Sequence, residues 1–486
     1  MACVRLQLLL LAVAAALVTA AIAIKPHVHP SVHRTLRRQS KVNIFVALRA
    51  ASRAVFESVE ETEFATRGDK ITTLVNQLRA HAEKTQAPLN TLLAYELSVW
   101  DSSGTNDSAP PLYSHTKSFW ISNQVYFKDA TYELVERLSL LPSLLEVREE
   151  DIFELPVLFE TGAASATNDT GIEWGVAKIQ APTVWEERGL TGHGVVVGVI
   201  DTGVRHTHGA LRDSFRGDYG WFDPQHKTET PFDDFGHGTH VTGTITGAGG
   251  IGVAPGAQWI ACKGCPLGIC PESLLVSCAQ FMTCPTDASG ANRNCSKAPD
   301  VINNSWGGSP FNSGYLAMVA LWRAAGIIPV AANGNAGSEC VSSRAPGCYA
   351  TVLSVGATSR FDRLANYSSR GPTLDGRVKP DLSAPGSHVR SCWNTSDDSF
   401  RFLSGTSMAS PHVTGVVALL LSANASLTYD HITEALFASA DAAITPLSTG
   451  ASCGGIAPTT FPNNGVGYGR VNALRAVNRV LGASHR

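Results

Sequence analysis

The sequence predicts an α/β protein in which a mostly parallel sheet is flanked by helices and preceded by a small α+β module. Three observations carry that expectation. From Trp174 onward, continuous apolar runs recur between helix-length segments, as expected of strands buried on both faces. Residues 25–160 instead show half-buried strands and amphipathic helices, in a stretch without cysteine. Between the two, residues 161–171 are small and polar with no periodicity, which reads as a linker.

Taken in order, the chain opens with one basic residue, Arg5, an apolar stretch from Leu6 to Val18, and small residues at Val18-Thr19-Ala20 and Ala21-Ile22-Ala23. That pattern predicts a secretory signal peptide over residues 1–20. In the module at 25–160, Val42, Ile44, Val46 and Leu48 alternate as a strand does. Ile71, Leu74, Val75 and Leu78 fall at helical spacing, as do Leu134, Val135, Leu138 and Leu141. Strand-like runs at Phe119–Tyr126 and Leu145–Leu155 complete it, with a polar loop from Asp101 to Pro111. Residues 161–173 form the expected linker, an accessible place for proteolysis. In the domain at 174–486, buried strands are expected at Val195–Ile200, Trp259–Cys262, Val301–Asn303, Ile327–Ala332 and Val352–Val355, with chemistry at their carboxyl ends.

Composition narrows the partners. The 486 residues are 44% hydrophobic and 16% charged, with a formal net charge of −3, which gives no reason to expect nucleic acid or an anionic membrane. After the leader, no segment reaches the roughly 18 uninterrupted apolar residues of a membrane span. Ten cysteines lie between Cys262 and Cys453; an even number in an exported chain predicts five disulfides, with connectivity open. Cys340 and Cys348 are near enough in sequence to close a short loop. Cys262-x-x-Cys265 has no second CxxC or HxxxH, so a metal site is not expected there.

Four elements carry candidate chemistry, and each has a bland reading alone. Ser407 sits in Gly405-Thr406-Ser407-Met408-Ala409-Ser410-Pro411-His412, before the apolar run Val413–Leu421; that is a helix cap or a nucleophile at a helix N-terminus. Asp201 follows the run Val195–Ile200 directly and is either a turn residue or a carboxylate at a strand end. His237 and His240 lie in a glycine-rich entry to a helix. Asn335, after Val330–Ala332, is a turn residue or an oxyanion donor. Together they supply nucleophile, base, orienting carboxylate and amide donor, in the order Asp, His, Ser.

That order, with the blocks Val199-Ile200-Asp201-Thr202-Gly203, His237-Gly238-Thr239-His240-Val241-Thr242-Gly243 and Gly405–His412, resembles the subtilisin-like serine proteases (subtilases) over Trp174–Ala476. Asp300–Gly308 and the cysteine-bearing insertion before it look most like the bacillopeptidase F-type branch. The resemblance implies a three-layer α/β/α domain preceded by a propeptide that acts as folding aid and inhibitor. It implies a secreted, extracellular endopeptidase, monomeric, acting on protein or peptide substrates without a cofactor. Ser407 would attack, His237 would move the proton, and Asp201 would hold the imidazole. Asn335 would donate to the oxyanion with the Ser407 N–H, and Ser305-Trp306-Gly307 would pair with an extended substrate. His240 would be structural.

The loop Thr244–Pro255 has no Asn or Asp where subtilisins carry calcium ligands, so no metal site is expected there, with calcium elsewhere left open. Gly247–Gly252 is a formal GxGxxG but follows a helix pattern, which argues against nucleotide binding. His206 and His208 are read as structural rather than metal-binding. Arg344 aligns with a wall of the family's primary specificity pocket and is either an acidic-side-chain selector or a solvated loop arginine. Sequons at Asn106, Asn168, Asn294, Asn366, Asn394 and Asn424 are candidate glycan sites, whereas Asn303 ends a buried strand. Two other readings stand against these: a silent subtilase fold that only binds peptides, and an α/β-hydrolase, which would need the order Ser, Asp, His and a GxSxG elbow.

Overall fold

The computed structural model describes residues 25–50, 62–102, 111–155, 159–163, 171–444 and 452–483, with positions 52, 55, 58 and 59 between. The expected signal peptide lies outside the described residues. Two compact units emerge, one taking Met1–Ala54 and Leu78–Glu150, the other Val55–Gln77 and Asp151–Arg486.

In the smaller unit, strands His27–Val28 (β1), Lys41–Leu48 (β2), His115–Phe119 (β3), Gln124–Thr131 (β4) and Leu144–Glu149 (β5) form a sheet in the order β1-β5-β2-β4-β3. The alternation read at Val42–Leu48 is real: Val42, Ile44, Val46 and Leu48 share one core with Leu134, Val135 and Leu138 of the helix Tyr132–Leu138. Two strand readings need correction. Phe119–Tyr126 is not one strand but a hairpin, because Asn123 adopts a left-handed φ of 50° that turns β3 into β4. Leu145–Leu155 is two strands, β5 and Ile152–Glu154 (β6), and β6 belongs to the larger unit. The polar loop begins later than expected, since the helix Arg67–Ser102 runs through Asp101; residues 103–110 lie outside the described residues.

The larger unit is built on seven parallel strands. Phe159–Ala163 (β7) precedes the sheet, so the linker composition at 161–163 is strand instead. Then come Val196–Asp201 (β8), Trp221–Phe222 (β9), Gln258–Lys263 (β10), Ile269–Pro271 (β11), Val301–Asn304 (β12), Ile328–Ala332 (β13), Leu353–Thr358 (β14), Leu382–Pro385 (β15), Val389–Cys392 (β16) and Phe400–Ser404 (β17). The order in the main sheet is β15-β14-β13-β12-β8-β10-β9, all pairs parallel. β7 instead adds to β17 and β16, antiparallel.

The three layers follow from strand alternation. Val197 and Val199 of β8 pack in one core with Val241 of the helix His237–Thr246 and Val413, Val416 and Val417 of the helix Thr406–Ala423. Gly198 points the other way, where a Cβ would stand 2.7 Å from Sδ of Met282 in the helix Glu272–Thr283. Among the described residues, Thr406–Ala423 is the one helix long and apolar enough to cross a membrane, and it is an interior helix of this domain.

The described cysteines form four disulfides rather than five: Cys262–Cys278, Cys265–Cys270, Cys284–Cys295 and Cys340–Cys453. Cys340 does not close a short loop with Cys348. It reaches across 113 residues to Cys453, while Cys348 and Cys392 are buried thiols in separate places. Cys348 Sγ faces the Pro310 carbonyl and Cys392 abuts Gly243.

Candidate active site

The parallel sheet delivers its residues to one edge, as strands of a doubly covered sheet do. β8 ends at Asp201. β12 runs into Ser305-Trp306-Gly307, and β13 into Asn333-Gly334-Asn335. The helices starting at His237 and Thr406 bring the remaining groups.

Asp201 Oδ1 lies 2.7 Å from His237 Nδ1 and also accepts the Thr202 N–H at 2.8 Å; both side chains are buried. The pairing sets the imidazole's tautomer, with Nδ1–H toward the carboxylate and Nε2 left to accept. His237 is the first residue of its helix, so its ring is set by the same backbone turn that follows Gly236. Among the described residues, His237 Nε2 is buried without a hydrogen-bond partner.

Ser407 is the second residue of its helix, so its N–H has no intrahelical acceptor. Its hydroxyl donates to the Ser305 carbonyl at 3.0 Å, not to His237. Ser305 Oγ in turn donates to the Ser407 carbonyl at 3.1 Å. Pro411 explains the second bond: it has no N–H to give the carbonyl four residues back, and Ser305 fills that gap.

Asn335 Oδ1 accepts two bonds from Thr406, N–H at 2.9 Å and hydroxyl at 2.7 Å, and Thr406 Oγ1 accepts the Gly334 N–H at 3.2 Å. With Oδ1 held, Nδ2 is the end that projects over Gly405, where a Cβ would come within 3.0 Å of it. Glycine at 405 keeps that space open.

Beside these groups lies a short antiparallel ladder. Glu154 and Gly307 exchange both backbone hydrogen bonds at 3.0 Å, and the other edge of β6 pairs with β11 in the register Ile269↔Glu154 and Cys270↔Phe153. Phe153 is fully buried, its ring edge-on to Trp306 with centroids 5.3 Å apart. Trp306 also donates Nε1–H to the Ile200 carbonyl, tying this wall to β8.

A serine hydroxyl, an imidazole, a carboxylate and an amide thus gather at the carboxyl ends of the strands, and similarity to known proteins decides the family. The subtilase family model matches residues 192–469. The chain belongs to the subtilase family. It is 36% identical over 396 residues to bacillopeptidase F of Bacillus subtilis (strain 168), a match covering 75% of this chain and 26% of that protein's length. It is 35% identical over 310 residues to M-protease of Shouchella clausii (strain KSM-K16), covering 62% of this chain and 74% of the relative. With subtilisin BL of Lederbergia lenta it shares 37% over 260 residues, 52% of this chain and 86% of the relative. Subtilases are serine endopeptidases, and this chain is one of them.

His240 Nε2 faces the Val389 and Arg401 carbonyls at 3.1 Å, and burial pushes its pKa down to about 3. His412, also buried, is held near 4 for the same reason. His206 and His208 each face a backbone carbonyl, of Pro231 and Ser399. Cys262 and Cys265 are each in a disulfide with another partner. Residues 244–255 contain no Asn or Asp, and the hydroxyls of Thr244 and Thr246 donate to the His240 and Thr242 carbonyls of their own helix.

Some site residues escaped the sequence reading. Thr406 orients Asn335. Asp233 gathers the Thr202 hydroxyl, the N–H groups of Phe235, Gly236 and Thr239, and the Thr239 hydroxyl, joining the end of β8 to the start of the His237 helix. An acidic residue four positions before a helix-starting histidine was the available signal. β11 forms the second wall of the ladder, and its Cys265–Cys270 bridge was the clue.

Proposed function

We propose that this chain is made as a secreted, self-inhibited zymogen, and that the mature enzyme cleaves peptide bonds through an Asp201–His237–Ser407 triad and an acyl-enzyme. In that mechanism the Ser407 hydroxyl turns from the Ser305 carbonyl to His237 Nε2, which takes its proton as Oγ bonds to the scissile carbonyl carbon. The oxyanion is met by Asn335 Nδ2 and the Ser407 N–H. The carbon–nitrogen bond breaks, His237 returns the proton to the leaving amine, and water releases the acyl group by the same route. Protein or peptide substrates enter as an added strand between β11 and Ser305-Trp306-Gly307. Residues 25–160 serve as propeptide, 161–173 hold the maturation site, and 174–486 form the peptidase, monomeric and independent of a cofactor.

The observation that supports this reading best is the Glu154–Gly307 ladder. A segment of the chain just before the linker already lies along the strand a substrate would use, with Phe153 filling the pocket over Trp306. Such a segment blocks the cleft until it is cut and lost.

The test is N-terminal sequencing of the secreted protein beside its Ser407→Ala variant, with fluorophosphonate labelling of both. Wild type should begin within 161–173 and label, while the variant should keep its N-terminal module and not label. Equal processing of both chains would sink self-maturation; no labelling of processed wild type would sink the triad and revive the peptide-binding reading.

A further inference from the structure

Beside Asn335 opens a cavity of about 410 Å³ whose walls include Gly307, Gly308, Gly334, Ala336 and Arg344. Its place follows from the endopeptidase reading, on which the inference rests. The acyl carbon must lie between Ser407 Oγ and Asn335 Nδ2, so the side chain of the residue supplying that carbonyl leaves toward the wall that carries Asn335. A peptide paired with Gly307 as Glu154 is runs past the same opening.

Arg344 is fitted into this wall. Its stem passes between two glycines: a Cβ at Gly334 would come within 2.6 Å of Arg344 Cγ, and one at Gly307 within 3.3 Å of Arg344 Cβ. Gly334 has φ +110°, which suits glycine, and any side chain there would evict the arginine stem. The Arg344 backbone is fixed too, its N–H on the Asn333 carbonyl at 2.9 Å and its carbonyl accepting the Cys348 N–H at 2.8 Å. Yet among the described residues its half-buried guanidinium has no hydrogen-bond or ion-pair partner. Among the described residues, the other charged one lining the cavity is Glu154, which belongs to the segment beside Gly307 and has its side chain exposed. A held cation with five unused donors, lining this cavity, suits a carboxylate.

We infer that Arg344 makes this pocket select substrates with glutamate or aspartate on the acyl side of the scissile bond. A guanidinium stays charged at any working pH, so the preference persists until the substrate carboxylate is protonated.

The test uses the mature enzyme and peptides identical except for Glu, Gln or Lys at that position. Ratios of kcat/KM are taken within each variant, so that a general loss of activity cancels. Wild type should favour Glu over Gln by about tenfold at low salt, falling as salt rises. Arg344→Gln should bring that ratio near one, and Arg344→Glu should favour Lys over Glu. A wild-type ratio near one, or one that Arg344→Gln leaves in place, overturns the proposal. Fluorophosphonate labelling of each preparation tells this failure from the other: labelled enzyme with a flat ratio rejects only the pocket assignment, whereas unlabelled, inactive wild type rejects the endopeptidase mechanism.

Discussion

Thr406 offers the amide of Asn335 two donors, and the two contacts do different work. The backbone N–H would survive substitution; the hydroxyl would not. Thr406→Val should therefore lower kcat by about tenfold while leaving KM nearly unchanged, because Asn335 loses half of its orientation but the peptide strand keeps its partners. Asn335→Ala removes the donor itself and should cost about 10²- to 10³-fold in kcat. Steady-state kinetics on one peptide, with both variants side by side, check the order. Equal losses would mean that the Thr406 hydroxyl alone holds the amide, and a loss confined to KM would mean that Thr406 does not act through Asn335.

At the scale of elements, β6 is the part whose role is most exposed to test. A synthetic peptide spanning residues 151–160 should inhibit mature enzyme competitively, and the same peptide with Phe153→Ala should bind about ten- to a hundredfold more weakly, since the ring fills a buried pocket. Inhibition constants measured against the same substrate decide it. The legibility of the sequence divides along the same line. Val196–Asp201, Val301–Asn304 and Ile328–Ala332 were readable because parallel strands buried on both faces cannot alternate, and the site residues followed from the strand ends. The roles proposed for Asp201, His237, Ser407 and Asn335 rest on local motifs. What escaped was non-local. The hairpin at Asn123 depends on one left-handed residue, the end of the small unit depends on which sheet Ile152–Glu154 joins, and the pairing of Cys340 with Cys453 depends on chain ends 113 residues apart. None of those has a local periodicity.

Whole-molecule stability carries two signatures. His240 and His412 are folded as neutral rings with values near 3 and 4, below the roughly 6.5 of an unfolded histidine. The unfolded chain therefore binds more protons there, and this stability is lost as pH falls below about 6.5. Glu173 acts oppositely: buried, and accepting the Arg390 N–H, its carboxyl is raised to about 7 mainly by burial. Its cost grows as pH rises from the ordinary carboxyl range to about 7 and is complete above that. Two histidines outweigh one glutamate between, so the inactive Ser407→Ala protein should resist urea better at pH 6.5 than at pH 4.5. Adding Glu173→Gln should raise stability at pH 8 by about 1–3 kcal/mol and change little at pH 4.5. The second signature is covalent. Replacing Cys340 and Cys453 by serine frees a loop of 113 residues and should cost about 4–5 kcal/mol, read as a fall in Tm in the same inactive background.

The ladder between Glu154 and Gly307 has a kinetic consequence under the zymogen reading. While the chain is whole, the segment competes for the cleft at an effective concentration set by its tether, on the order of millimolar, whatever the amount of protein present. One cut within 161–173 turns it into a free ligand whose occupancy depends on dilution. Activation should then show a lag that shortens when cleaved protein is diluted and lengthens in concentrated stocks, so that the same molecule is quiet where it is crowded and active once it has spread.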